Sequence, residues 1–510
     1  MFMSQTCILI VFVLYLGVML LIGLYANKKG SGKTTDDFYL GGRKLGALVT
    51  AMSAEASDMS SWLLMGLPGV AYLSGVADAG WTAIGLALGT YLNWLFVAKR
   101  LRRYSVKTGA ITIPDFFSKR YRDEKNLLTC IAAIVIIVFF VPYTASGFKA
   151  IGTLFESLFG VEYHVAMLIG AAIIVAYTML GGFLAVSATD LIQSIVMTIA
   201  LVVIVYFGID YAGGWGNVAA NANSLQGYIS LTKMHTAEGS VPYGFLTIVS
   251  TLAWGLGYFG MPHILLRFMA CKDEKKLTTS RRIGSVWVVI AMGTAILIGI
   301  IGNAVSANGK VAALTSSAES ETIIIRIADL ISQKGVLFAL IAGLILAGIL
   351  ACTMSTADSQ LLASSSSMSK NLLQDFLKVK LSDKASIWAA RGTVLIISLI
   401  SIFLAWNPAS SVFKIVSFAW AGFGAAFGPV VLFALFWKRS NLWGAFAGML
   451  SGGVMVFVWK YLVRPLGGAW DIYELLPAFI VASIAIVVVS LLTKAPSKEI
   501  CEEFDAVRKG

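Results

Sequence analysis

The run Ser53-Ala54-Glu55-Ala56-Ser57-Asp58-Met59-Ser60-Ser61-Trp62 puts two carboxylates and four hydroxyls into ten residues of an otherwise apolar stretch. A carboxylate at bilayer depth costs about 2.5–3.5 kcal/mol even on the lenient insertion scale, so it faces a cavity or a ligand rather than lipid. Serine and aspartate also compete with the helix for its backbone hydrogen bonds. A polar, breakable segment at mid-depth offers carboxylate, hydroxyl and freed carbonyl oxygens, the ligands that a hard cation takes. A second segment, Trp254 to Pro262, packs three glycines and a proline into nine residues. Both residue types weaken a helix interior. Two interrupted spans at corresponding places in a chain point to an ion and solute site between them. The chemistry expected is coupled binding, with no bond made or broken.

The elements that hold these segments are membrane helices. Of the 510 residues, 58% are hydrophobic and 13% charged, and mean hydropathy is +0.82; soluble domains are nearer one quarter charged. Thirteen spans are expected, at roughly 6–27, 48–72, 79–98, 127–156, 164–182, 190–209, 243–265, 284–305, 336–357, 387–405, 413–437, 442–462 and 476–493. The first apolar run, Ile8 to Tyr25, is too long for a cleaved leader, and Lys28 and Lys29 follow it. That order places the N-terminus outside, and an odd count places the C-terminus inside. The loops agree: Lys29, Lys33, Arg43, Lys44, Lys99 to Arg103, Lys119 to Lys125, Arg267 to Arg282, and Lys370 to Lys384 all fall inside, against a few basic residues such as Lys233, Lys310, Lys334 and Arg464 outside. The net charge of +12 is therefore an orientation signal and a contact for anionic lipids, not a nucleic-acid surface. Five scattered cysteines and three scattered histidines supply no disulfide framework, metal cluster or catalytic constellation. A channel would need a continuous polar stripe or charged ring. A sensor would need a signalling domain that the tail from Lys494 to Gly510 is too short to hold.

Spans two to six and seven to eleven form two sets of five. Five is odd, so the sets insert in opposite orientations, as an inverted repeat requires. The units expected are residues 1–45 (an extra helix and the first inside loop), 46–210 and 242–437 (the two repeats), 211–241 (an outside loop), 438–493 (two extra helices) and 494–510 (an inside tail). Glu321 to Ile331 has helical apolar spacing and reads as a surface helix. Leu361 to Leu377 reads as a cytoplasmic helix.

The segments Phe38 to Arg43, Ser57 to Gly69, Trp254 to Pro262, Met354-Ser355-Thr356 and Ala419 to Pro429 resemble the sodium:solute symporter family. Within it they are most similar to the bacterial sodium/proline symporters, nearly end to end and in motif order. The resemblance implies an all-α LeuT-like core of five plus five helices, with an extra helix before it and two after. It implies a sodium site made by the carbonyls of Ala56, Met59 and Cys352 and the hydroxyls of Ser355 and Thr356, with Asp58 acting through its charge as much as by ligation. It implies a solute site from Ser60, Ser61, Trp62, Tyr143, Trp254, Tyr258 and Pro262. Backbone N–H groups at Ser60 and Ser61 would face the solute's carboxylate, and the aromatic residues would form its wall. Arg43 and Asp190 have family counterparts in ion release and gating.

Each position also has a plainer reading. Intramembrane Ser and Thr bond back to their own helix, buried aromatic residues pack a core, Arg43 is a positive-inside charge, and Asp190 is a helix N-cap. Gly422 to Gly428 is either a hinge or a close-packing stripe. Four positions depart from the family pattern. Glu55 and Ser61 replace small residues of the proline-transporter pattern, Cys352 replaces alanine, and Met261 replaces a polar residue. Glu55 adds a carboxylate beside the break, for a water path, a proton or an altered ion preference. The function expected is sodium-coupled import of L-proline or a similar small zwitterion by a multi-pass protein of the cell (inner) membrane. No cofactor is implied beyond sodium as coupling ion. A symporter for another small organic solute is the alternative.

Overall fold

The computed structural model describes residues 2–28, 35–180 and 182–509, so Lys29 and Lys33 of the expected first loop lie outside the described residues. The chain is almost wholly helical. α1 (Phe2–Lys28) precedes a short α2 (Thr35–Leu40). α3 (Ala47–Asp58) and α4 (Leu67–Ser74) flank the first break. α5 (Val76–Leu92) continues through a widened turn into α6 (Ala98–Thr108), with α7 (Ile113–Tyr121) beyond. α8 (Leu127–Phe159), α9 (Tyr163–Leu180), α10 (Phe183–Tyr211) and α11 (Trp215–Ser224) lead to an antiparallel hairpin of β1 (Lys233–Thr236) and β2 (Gly239–Pro242). α12 (Phe245–Leu252) and α13 (Pro262–Ala270) are halves of the second interrupted span. There follow α14 (Lys276–Ala307), α15 (Ser317–Ser320), α16 (Ile323–Ser332), α17 (Val336–Ser366), α18 (Asp383–Leu404), α19 (Val412–Phe436), α20 (Leu442–Val458), α21 (Leu475–Leu492) and α22 (Lys498–Lys509).

Among the described residues, ten helices are long and apolar enough to cross a membrane, or eleven if α12 and α13, bent by 46°, count as one span. The shorter apolar helices Trp62–Ser74 and Tyr163–Met179 coincide with two further expected spans. Large side chains such as Leu14 and Leu21 on α1, Phe403 on α18 and Leu492 on α21 are exposed. Apolar side chains in that position are a lipid-facing surface. α19, by contrast, is buried along most of its length. It runs unbroken through Gly422 to Gly428, where the missing side chains admit Phe139 and the Cα of Gly257; the stripe is a packing surface.

Both interruptions form where composition predicts. α3 stops at Asp58, and Met59 (φ −75°, ψ 71°) turns the chain out of the helix. In the second span, a tight 3₁₀ stretch over Ala253–Gly260 ends at Met261 (φ −75°, ψ 108°), and Pro262 begins α13. Proline fits that first-turn position because its missing N–H is one the helix cannot use. The glycines let the break approach its neighbours. A Cβ on Gly89 of α5 would land on the backbone of Gly255, and one on Gly257 would land on the Trp420 indole. Gly89→Val is therefore expected to destabilise by about 1–3 kcal/mol, the usual cost of overpacking. A lower thermal-unfolding midpoint of the detergent-solubilised protein checks this.

The structure corrects two expectations and adds detail to two others. The segment expected as a surface helix forms α16, but Ile323, Ile324, Ile325, Ile327 and Ile331 are all buried, because so many isoleucines cover more than one face. The connecting segment 211–241 carries α11 and the hairpin, whose second strand ends at Pro242. Leu361 to Phe376 is helical as expected, as the continuation of α17, which runs to Ser366 and goes on as a wider helix over Ser367–Phe376. Asp190 is no N-cap. α10 begins at Phe183 behind Gly182, and Asp190 is buried two turns inside it.

Candidate functional site at the two breaks

Asp58 is the last residue of α3 and is fully buried. Its carboxylate reaches the other break, where the Tyr258 hydroxyl donates to Oδ2 at 2.6 Å. Its carbonyl, freed by the end of the helix, accepts from Trp62 Nε1 (3.1 Å), Tyr143 OH (3.2 Å) and Ser60 N (2.8 Å). Three aromatic residues from three segments thus converge on one aspartate. A charged acceptor bonded to buried donors is among the stronger polar contacts in a protein interior. The backbone N–H of Ser60 is engaged by this contact, contrary to the expectation that it is free. Ser60 Oγ accepts weakly from Trp62 N at 3.4 Å. Ser61 Oγ and Asp58 Oδ1 are buried with no hydrogen-bond partner among the described residues.

Two residues earlier on α3, Ala56 presents its carbonyl to α17. Ser355 Oγ donates to it at 2.7 Å and Thr356 Oγ1 lies at 3.5 Å. Ser355 Oγ also lies 3.1 Å from the Cys352 carbonyl. The Cys352 thiol donates to Ile349 O, so cysteine serves here as well as alanine would. Four neutral oxygens from two helices therefore gather at one point, and Met59 lies buried at the adjoining turn. The set suits a hard monovalent cation. Among the described residues no group of three His, Cys, Asp or Glu side chains could hold a metal.

Trp254 stands apart from the Asp58 cluster. Its ring stacks on Tyr473 (5.1 Å) and packs on Phe413 (5.2 Å), and its carbonyl accepts from Trp420 Nε1 at 2.8 Å. With Gly66, Phe413 and Glu321 it lines a cavity of about 640 Å³ beside the hairpin. Glu321 clasps one wall: its carboxylate accepts from Ser411 Oγ (2.6 Å), Val412 N (3.0 Å) and Phe413 N (3.1 Å), tying the α15–α16 connection to the start of α19. Burial raises the Glu321 carboxyl above the usual carboxylate range, and these three donors offset only part of that rise. Pro262 and its neighbour His263 are buried at the start of α13, the imidazole packed against Phe140 and Tyr143.

The opposite face is strapped shut. The Arg43 guanidinium donates to Met269 O (2.7 Å), Ser105 Oγ (2.9 Å), Ser105 O (3.0 Å) and Ala110 O (2.6 Å). Leu45 pairs its backbone with Ala270 and Lys272. The charge expected as an orientation signal therefore also holds α6 and α13 to the chain entering α3.

Glu55 is buried and turned toward α5. Its Oε1 accepts from Trp94 Nε1 (2.8 Å) and Thr90 Oγ1 (3.2 Å), and its Oε2 has no partner among the described residues. Asp190 belongs to a second polar cluster that sequence reading missed. Its Oδ2 accepts from Ser53 Oγ (2.6 Å) and from Arg267 Nη2 (3.2 Å), while Arg267 also donates to Ser359 Oγ (2.6 Å). Thr178 donates to Asp358 on α17 at 2.5 Å. Arg267 escaped notice because the seventh span was expected to end at 265, whereas α13 continues to Ala270. Asp358, three residues after Ser355, stands one position past the expected end of the ninth span at 357, and α17 carries it into the buried interior.

The chain is similar to proteins already known. A family model described as the sodium:solute symporter family matches residues 38–452. A sodium/proline symporter of Haemophilus influenzae is 44% identical over 502 residues, covering 98% of this chain and 97% of the relative. That of Escherichia coli is 43% identical, covering 98% and 96%. An osmoregulated proline transporter of Bacillus subtilis is 42% identical, covering 97% of each. Among solved structures, a substrate-bound, outward-open Na+-coupled sialic acid symporter superposes with a TM-score of 0.77 at 19% identity, covering 96% of this chain and 99% of that one. A closed nucleobase-cation-symport-1 family transporter gives 0.53 at 15% identity, covering 93% and 99%. These two show a shared fold.

Proposed function

The chain belongs to the sodium:solute symporter family, a family of membrane transporters and not of enzymes, and from that membership and the site geometry we propose that it imports L-proline with sodium by alternating access. The substrate rests on the relatives, which are 42–44% identical over nearly the whole chain and are named for proline. The mechanism rests on the Tyr258–Asp58 hydrogen bond, which joins the two interrupted spans at one carboxylate.

In this reading thirteen spans cross the membrane with the N-terminus outside and the C-terminus inside. α1 precedes a LeuT-like core, in which residues 46–210 and 242–437 are the two inverted repeats, and α20 and α21 follow. Sodium takes the carbonyls of Ala56, Met59 and Cys352 and the hydroxyls of Ser355 and Thr356. Asp58 supplies the negative charge that favours it. Proline lies against Ser60, Ser61, Trp62, Tyr143, Tyr258 and Pro262, and Trp254 floors the outer cavity through which it enters. Arg43 is the inner strap that must release Met269 and Ser105 before the solutes leave, and Asp190, through Arg267, braces the same inner half. Glu55 adds negative charge one turn from Asp58.

Each ligand raises the other's affinity when both favour the same closed state. One sodium moving through 100 mV releases about 2.3 kcal/mol, and a tenfold gradient adds about 1.4 kcal/mol. The sum, roughly 3.7 kcal/mol, sustains a several-hundred-fold solute gradient at one-to-one coupling.

Uptake of labelled L-proline into proteoliposomes with an imposed inward sodium gradient tests the proposal. Accumulation above a sodium-free control is expected, and its absence overturns the substrate. Ser355→Ala is expected to raise the half-saturating sodium concentration about tenfold, the loss of one ligand worth about 1–1.5 kcal/mol.

A further inference from the structure

Between α8, α19 and α20 the structure opens a groove of about 970 Å³. Its walls include Ile137, Val141, Ile415, Phe418 and Phe457, and the residues that open α15 close one end of it. These helices are membrane spans, so a groove with such walls faces acyl chains. Two charged residues line it, Lys414 and Lys460, and no carboxylate does. Among the described residues neither ammonium has an acidic partner within 4.0 Å, although Lys334 and Arg464 on the same face are both paired. Lys460 Nζ instead sits 4.1 Å from the centroid of Phe418, directly over a groove wall. Unpaired lysines are uncommon on a face where basic residues are few. Two of them at the rim of an apolar groove match a phosphate above acyl chains.

We propose that this groove binds one anionic phospholipid, its acyl chain against Phe418 and Phe457 and its phosphate on Lys414 and Lys460. The site borders the clasp described above. Ser411 lines the groove and also donates to Glu321, and Lys414, Lys460 and Ser317 line the polar cavity as well. A lipid seated there touches both sides of the Glu321 clasp, so its occupancy stabilises the clasped arrangement of α15 and α19.

Native mass spectrometry of the purified full-length protein, titrated with phosphatidylglycerol or phosphatidylcholine of identical chains, tests this without reference to transport. One phosphatidylglycerol is expected to be retained about 30-fold more tightly than phosphatidylcholine, from two lysines near the headgroup. Lys414→Gln or Lys460→Gln alone should lower that ratio about fivefold, and the pair together should remove it. Ala145→Phe, which fills the groove, should weaken both lipids and leave the headgroup preference in place. Glycerol 3-phosphate, a headgroup without chains, should displace nothing. Equal retention of the two lipids, a preference undiminished in both single lysine variants, or displacement by glycerol 3-phosphate would overturn the proposal.

Discussion

Asp58→Ala is expected to reduce sodium-driven proline uptake at least about 100-fold. The carboxylate is fully buried and bonded to Tyr258. Truncating one partner of a buried, hydrogen-bonded charge costs about 3–5 kcal/mol, which corresponds to two to three and a half decades in affinity. Asp58→Asn separates two contributions. It keeps an acceptor for Tyr258 but loses the charge. If the charge is what draws sodium to Ala56, Ser355 and Thr356, asparagine should raise the half-saturating sodium concentration nearly as much as alanine does. Sodium-dependent uptake in proteoliposomes, with sodium binding followed by tryptophan fluorescence, measures both. Retained sodium dependence in the alanine variant would remove Asp58 from the site.

The second large effect is on stability. Arg267→Met leaves Asp190 and its neighbour Asp358 in the core without the guanidinium that now sits 3.2 Å from Asp190. Arg267 also holds Ser53 on α3 and Ser359 on α17 at hydrogen-bonding distance. Breaking a buried ion pair on one side is expected to cost about 3–5 kcal/mol. The combined Arg267→Met, Asp190→Asn variant removes one of the stranded charges and should regain more than about 1 kcal/mol of the loss, a coupling expected of residues in contact. Thermal unfolding in detergent reads both changes. Equal destabilisation in the single and double variants would show that Arg267 stabilises through its place over the Phe183 ring, 5.1 Å away, and not through its pairing with Asp190.

Much of the architecture was legible in the chain because a membrane simplifies the rules. Apolar runs of span length must be helices, since lipid offers no partner to an unpaired backbone group. Serine and aspartate in one such run, and glycine and proline in another, mark where the helix fails, so both breaks, at Met59 and at Met261, fell inside the segments expected of them. The polar character of Ser53 to Trp62 and the nearness of Ala56 to Ser355 followed from the same reasoning joined to the family resemblance.

What composition could not supply is direction. Helical spacing says that a side chain is buried, but not against what. The isoleucines of α16 read as one face of a surface helix, yet neighbours on several sides bury them. Asp58 was read as a charge for sodium, and only the packing of α3 on the 3₁₀ stretch before Met261 brought Tyr258 to its carboxylate and Tyr143 to its carbonyl. Trp254 was placed with the solute by its neighbours in sequence, but one more turn of helix carries it outward to Tyr473. Arg267 and Asp190 are 77 positions apart and meet because α10 and α13 flank α3. The sequence by itself determined which segments are helical and where two of them must break, because these depend on local backbone chemistry and on solvation by lipid. The tertiary structure alone decided which charge faces which, because that depends on how helices rotate and cross as they pack.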